Sequence, residues 1–298
     1  MKNFQRTDLA MESCGMEEAA SSGIEQTEEV IDGCRIYRTE ICSEETARLL
    51  GKPCGKYVTL ECGNVLYLTR EESDRCAEIL AKELRRLVEE LLGRFLGEDL
   101  CVLAVGLGNS ELTADSIGPL TVSRLTATRH LREQEPELYH ALGCSSLAIL
   151  SPGVMGQTGI EALEILRSTS ETVHPDLILA IDALTAGSCD RLASTVQVSG
   201  VGIIPGSGVG NYRGAITAET IGVPVIAMGV PTVVNSATLV YEALRKANIT
   251  EIDESLEKIL ENGRSFFVSP KESDVLVSHF SKLLSQAIEL AFVGELPL

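Results

Sequence analysis

The sequence predicts an α/β protein with a mostly parallel sheet covered by helices on both faces. Short apolar runs recur from about residue 100, at 101–107, 147–150, 177–182, 195–198 and 223–228. Segments with helical spacing alternate with them, at 115–127, 158–170, 235–247 and 271–292. The runs are apolar throughout rather than on alternate residues, as strands buried on both faces require.

Before this region the pattern differs. Residues 12–45 carry ten acids against two arginines and few large apolar residues before Val30, so the first half of the stretch is expected to be mobile. Residues 33–42 and 56–68 carry alternating, β-branched and aromatic residues and are expected to be strands, forming a strand-rich N-terminal extension. Thr69-Arg-Glu-Glu72 has the form of a capping box. Cys76, Leu80, Leu84, Leu87, Leu91 and Phe95 follow at helical spacing, predicting a long helix with one core-facing stripe. Thr158-Gly-Ile-Glu161 is a second candidate capping box, and Asn235 or Ser236 a candidate cap for the helix after it.

Composition narrows the function classes. The 298 residues are 44% hydrophobic and 23% charged, ordinary values for a globular chain able to bury a large core. A formal net charge of −18 argues against wrapping nucleic acid directly. No apolar stretch reaches membrane-spanning length. Nine cysteines, none in a Cys-x-x-Cys pair, point to reduced thiols in a cytoplasmic compartment.

The candidate chemistry lies in two acids. Asp115 follows the run Cys101–Asn109, and Asp182 ends the run Leu177–Asp182. Carboxylates in so apolar a setting lose hydration, and two brought together can divide acid and base roles, which points to hydrolysis. Each has a plainer reading: Asp115 as the cap of the helix that follows, Asp182 as a partner of Arg191. Gly106-Leu-Gly-Asn109 is not a dinucleotide fingerprint, because Glu111 stands where the third glycine belongs. It reads as a tight strand exit, with Asn109 a candidate substrate donor. Pro205-Gly-Ser-Gly-Val-Gly-Asn211 is a second glycine-rich loop; Gly206, Gly208 and Asn211 are candidates for a backbone nest facing substrate. Arg129 and Arg213 are candidate cations. No histidine occurs between 174 and 279, so no metal or other cofactor is expected.

These motifs also resemble a known family. Gly106-Leu-Gly-Asn109 with Thr113-Ala-Asp-Ser-Ile-Gly-Pro119, Ser151-Pro-Gly-Val-Met-Gly-Gln-Thr-Gly-Ile-Glu161, Ile181-Asp-Ala-Leu184, Pro205–Asn211 and Gly229-Val-Pro-Thr-Val-Val234 are similar, in order, to the germination proteases of endospore-forming bacteria. The resemblance implies a three-layer α/β/α fold like that of hydrogenase-maturation proteases. It implies an endopeptidase that degrades small acid-soluble spore proteins in the spore core, built as a homotetramer from a self-cleaving zymogen. It assigns Asp115 and Asp182 as the catalytic pair. Arg6-Thr-Asp-Leu-Ala-Met-Glu12 resembles the family's substrate consensus Thr-Glu-(Ile/Phe/Leu)-Ala-Ser-Glu, which is cut after its first acid. Residues 1–8 are therefore expected to form a propeptide released at Asp8–Leu9, and residues 9–298 a single protease domain. Residues 248–268 replace a longer insert of larger relatives and are expected to be a short bridge. A metal-dependent protease using the same acids, or a peptide- or nucleotide-binding module, is the alternative; the binding module leaves the substrate-like heptad unexplained.

Overall fold

The computed structural model describes residues 7–14, 23–192, 194–210, 213–249, 253–262 and 266–294. Among them one sheet carries the molecule. Its strands are β1 (Ile24–Ile31), β2 (Cys34–Ile41), β3 (Gly55–Glu61), β4 (Cys101–Gly106), β5 (Ser146–Leu150), β6 (Leu177–Ala186), β7 (Thr195–Ser199), β8 (Val225–Asn235) and β9 (Phe267–Val268). They run in the order β1-β2-β3-β7-β8-β6-β4-β5, with β9 pairing onto the end of β8.

The sheet is only half parallel. The β8-β6-β4-β5 side is parallel, whereas β1, β2, β3, β7 and β8 pair antiparallel in succession, as does β9 with β8. This corrects the mostly parallel sheet expected from sequence. The β7–β8 link inverts direction, and the N-terminal strands join the main sheet through β3–β7 rather than standing apart from it. β1 lies in the stretch read as partly mobile. Its residues 25–30 are exposed, so it is held as an edge strand by pairing with β2 and shows little apolar pattern.

Alternation along β6 sorts the two faces. Leu177, Leu179 and Ile181 join a large core with the long helices α3 (Arg70–Leu92) and α12 (Ser273–Phe292) and the short α4 (Ile117–Val122). Ile178 and Ala180 face the other way, onto Leu166 of α8 (Ala162–Val173). Helices thus cover both faces.

The caps explain where the helices begin. At α3 the Thr69 hydroxyl accepts from Glu72 N–H while the Glu72 carboxylate accepts from Thr69 N–H. Asn235 caps α10 (Ser236–Lys246) by accepting from Ala237 N–H. The box expected at Thr158 forms three residues later, where Glu161 and Glu164 cap α8 reciprocally; Met155–Thr158 is a separate turn of helix, α7. The remaining helices are α1 (Ala10–Cys14), α2 (Glu44–Leu50), α5 (Arg129–Gln134), α6 (Pro136–Leu142), α9 (Ala218–Ile221) and α11 (Glu254–Asn262). α11 and β9 occupy the segment expected to be a plain bridge. No described helix is long and apolar enough to cross a membrane.

Candidate active site

The cleft opens where β6 outruns β4. Gly106, the last residue of β4, pairs with Ile181, and beyond it the Leu107 N–H donates to the Ile181 carbonyl at 2.8 Å. β6 does not stop at Asp182, as the sequence suggested. It continues to Ala186 beside β8, with a register shift between Leu184 and Thr185. The segment from Gly229 to Val234, beyond the apolar run 223–228, belongs to the partner strand that carries it.

Asp115 ends a 3-10 turn, Thr113–Asp115, that folds back against the exit of β4. Gly108 permits this approach. Its φ is +111°, and a Cβ there would stand 2.1 Å from the Asp115 carbonyl oxygen. The Asn109 N–H donates to the Asp115 carboxylate at 2.8 Å, and the Thr232 hydroxyl of β8 ties down the Ala114 carbonyl at 2.6 Å. Asp115 is thus bound to the strand-exit loop rather than acting as a helix cap. Asp182, 5% exposed, accepts from the N–H of its neighbour Ala183 at 2.8 Å. Arg191, its plain-reading partner, pairs instead with Glu61.

The two acids line one cleft of about 1030 Å³, and their electrostatics differ. Burial pushes the Asp182 carboxyl well above the ordinary carboxylate value; the Asp115 charge adds to this, the Ala183 N–H opposes it, and the Asp8 charge again adds. Asp115 is raised by burial but has two opposing influences, the Asn109 N–H and the Arg213 guanidinium. Asp182 is therefore the better proton holder and Asp115 the better anion.

The cleft is already engaged by the chain's own N-terminal segment. One carboxylate oxygen of Asp8 accepts from the Thr185 N–H at 2.9 Å and the other from the Ser207 hydroxyl at 3.0 Å. The Asp8 N–H returns a bond to the Thr185 carbonyl at 2.9 Å. Gly208 is pressed so close that a Cβ would lie 2.2 Å from the Asp8 carboxylate. Leu9 is wholly buried against Leu184, Ala186 and Val234, and Ala10 against Ile41, Ala47 and Tyr57. Glu12 accepts from the Gly187 N–H at 2.7 Å and contacts the Thr7 hydroxyl. Lys52 donates to the Thr7 carbonyl at 2.7 Å. Burial lowers its pKa, while Asp8 and Glu12 favour its charged form. Side chains of Gln197 on β7 hold the main chain here: Nε2 donates to the Asp8 carbonyl at 3.0 Å and Oε1 accepts from the Ala10 N–H at 2.7 Å.

The other candidates divide. Gly206, Gly208 and Arg213 line the cleft, and Arg213 also reaches Glu161 at 3.4 Å. The Asn109 side chain is occupied within its own loop, its oxygen accepting from Glu111 N–H and Gln157 Nε2, each at 3.0 Å. Arg129 is not brought to the site. It starts α5, its charge acts on Cys101 at the opposite end of β4, and it pairs with Glu133 at 3.9 Å. Asn211 lies outside the described residues. Among the described residues no group of three or more His, Cys, Asp or Glu has metal-binding spacing. Sequence reasoning missed Lys52, Thr185, Ser207 and Gln197. Ser207 lay in the glycine-rich loop already singled out, and Gln197 left a signal as an amide inside the apolar strand Thr195-Val-Gln-Val-Ser199 that must find partners once buried.

At the mouth of the parallel half of the sheet, two desolvated carboxylates share one cleft with the chain's own Thr7 and Asp8, an arrangement able to hold a peptide and to move protons. The comparisons agree: the germination protease family profile matches residues 5–248, and the chain belongs to that family. A germination protease of Caldanaerobacter subterraneus subsp. tengcongensis is 38% identical over 96% of this chain and 93% of its own length. One from Clostridium perfringens is 34% identical over 96% and 94%. One from Priestia megaterium is 40% identical over 80% of this chain and 66% of its own length.

Proposed function

We propose that the chain is a two-aspartate endopeptidase, made as a zymogen that cuts itself at Asp8–Leu9 and then degrades small acid-soluble spore proteins in the spore core. Family membership supports the reaction class and the germination setting. The observation that supports the self-cleavage is the seating of Thr7 and Asp8 in the same cleft as Asp115 and Asp182, with Leu9 and Ala10 buried in apolar pockets just beyond it. The working assembly is a homotetramer, and the fold is shared with hydrogenase-maturation proteases.

The chemistry follows from the unequal acids. Asp115, ionised, takes a proton from a water molecule whose oxygen bonds to the carbonyl carbon of the acidic residue. Asp182, protonated, gives its proton to the leaving nitrogen as the C–N bond breaks. The products are a carboxylic acid ending in the acidic residue and a free amine on the next. Moving the proton from Asp115 back to Asp182 resets the pair, which titrates as a unit. An acid pocket built from the Thr185 N–H and the Ser207 hydroxyl, with Lys52 nearby, gives an acidic protein surface a way to accept an acidic residue at the cut.

The test is a peptide spanning residues 5–14 of this chain, with a second carrying Asp8→Glu, incubated with the protein and read by mass spectrometry. The expected result is one cut in each, after the acid. A folded chain that leaves both intact, or cuts elsewhere, contradicts the proposal.

A further inference from the structure

The row of residues running across the sheet at Asp182 contains a second polar group aimed at the same peptide. Asp182 on β6 is directly opposite Gly229 on β8, and Gly229 is directly opposite Gln197 on β7. Directly paired residues share a face, so Asp182 and Gln197 project to the same side, flanking Gly229 and the Leu184 side chain that lies over it. Their Cα atoms are two strand spacings apart, about 9–10 Å. The Leu184 side chain, which packs on Leu9, fills part of this span and supports the N-terminal segment beside Gln197.

Gln197 is fixed in place. It is 7% exposed and its strand is paired on both sides, to Thr59 and to Gly229. The orientation of its amide is set by its partners. A carbonyl only accepts and an N–H only donates, so Nε2 must face the Asp8 carbonyl and Oε1 the Ala10 N–H. Both bonds go to main chain, so any substrate seated like this segment makes them whatever its side chains. The carbonyl that Nε2 holds belongs to the bond after the acid.

We infer that Gln197 is a catalytic residue of this protease: its amide N–H polarises the scissile carbonyl and stabilises the oxyanion, while its amide oxygen fixes the register through the N–H two residues past the cut. The inference rests on the proposed self-cleavage at Asp8–Leu9, because the N-terminal segment stands in for the substrate. Water adds to the carbonyl carbon, the carbonyl π-electrons move onto the oxygen that faces Nε2, and they return as the C–N bond breaks. Gln197 neither gains nor loses a proton. A preorganised donor of this kind, desolvated and needing no reorientation, is worth about 10²–10³ in turnover.

The test uses the full chain and follows release of residues 1–8 by mass spectrometry across pH, for wild type, Gln197→Met, Gln197→Glu and Asp182→Asn. Methionine keeps the volume and removes both hydrogen bonds; self-cleavage is expected to slow by about 10²–10³-fold at every pH. Glutamate donates to the carbonyl only when protonated. Its rate is expected to be low at neutral pH and to recover as pH falls, a limb absent from wild type that a purely structural clamp would not create. Should either variant fail to fold, self-processed wild type is given the residue 5–14 peptide with and without N-methylation at the Ala10 position. About a tenfold or greater loss on methylation is expected, and equal cleavage overturns the inference. Wild-type rates in folded Gln197→Met and Gln197→Glu, with Asp182→Asn inert, overturn the Gln197 role while leaving the two-aspartate reading intact. No self-cleavage by wild type overturns both.

Discussion

Replacing Ser207 with alanine is expected to remove half of the direct grip on the substrate's acid. The Asp8 carboxylate has one donor on each oxygen, the Ser207 hydroxyl at 3.0 Å and the Thr185 N–H at 2.9 Å. Only the hydroxyl can be deleted without touching the backbone. A hydrogen bond to a charged group contributes about 1.5–3 kcal/mol, so kcat/KM for a peptide with Asp or Glu before the cut should fall roughly 10- to 150-fold. The matched peptide with Gln at that position forms only a neutral bond, and its smaller rate should fall no more than about tenfold. The assay compares both peptides on wild type and Ser207→Ala, with melting temperature as a check on the fold. Equal losses for the acid and amide peptides would refute the acid-pocket reasoning, as would no loss for the acid peptide.

Two further outcomes follow from the same geometry. Ala10 is wholly buried against Ile41, Ala47 and Tyr57, so Ala10→Leu overpacks its pocket by about 1–3 kcal/mol and should slow self-cleavage roughly 5- to 150-fold; an unchanged rate of N-terminal release would show that this pocket is not used. Asp182, with its folded pKa raised above the unfolded value, binds more protons folded than unfolded between those two values. Stability should therefore fall as pH rises through that window, and Asp182→Asn should remove the Asp182 share of the fall, leaving that of Asp115 and Glu12. Each pKa unit of displacement removed is about 1.4 kcal/mol, so the asparagine variant should melt at least a few degrees above wild type at pH 7 and no higher well below pH 4. Melting curves that match at both pH values would contradict the burial argument.

How much of this was legible in the sequence depends on how local each signal is. The apolar runs gave the core strands β4 to β8 within a few residues, except where β6 and β8 continue, because a single acid or a Gly-Val-Pro sequence looks like a strand end. Asp182 does not end its strand because β6 goes on pairing with β8 as far as Ala186, while its carboxylate lines the cleft. β1 escaped notice because an edge strand with exposed residues on both faces has no apolar alternation to read. Asp115 and Asp182 stood out individually as acids in apolar contexts. Their convergence depends on β4 and β6 being neighbours, which no local pattern encodes. The heptad at residues 6–12 was legible as a substrate mimic, but not its bed, since Lys52, Thr185, Gln197 and Ser207 come from four separate loops and strands. Arg129 misled because it is near Asp115 in sequence, whereas α4 carries the chain between them to the opposite end of β4.

In the proposed mechanism Asp115 and Asp182 together cut the chain's own Asp8–Leu9 bond. The direct measurement is the N-terminal mass of the full-length wild type, Asp115→Asn and Asp182→Asn proteins after equal incubation, each shown to be folded. The expected result is a wild type that begins at Leu9 and two variants that keep residues 1–8. A variant that sheds them at the wild-type rate, or a wild type cut at another bond, would contradict it.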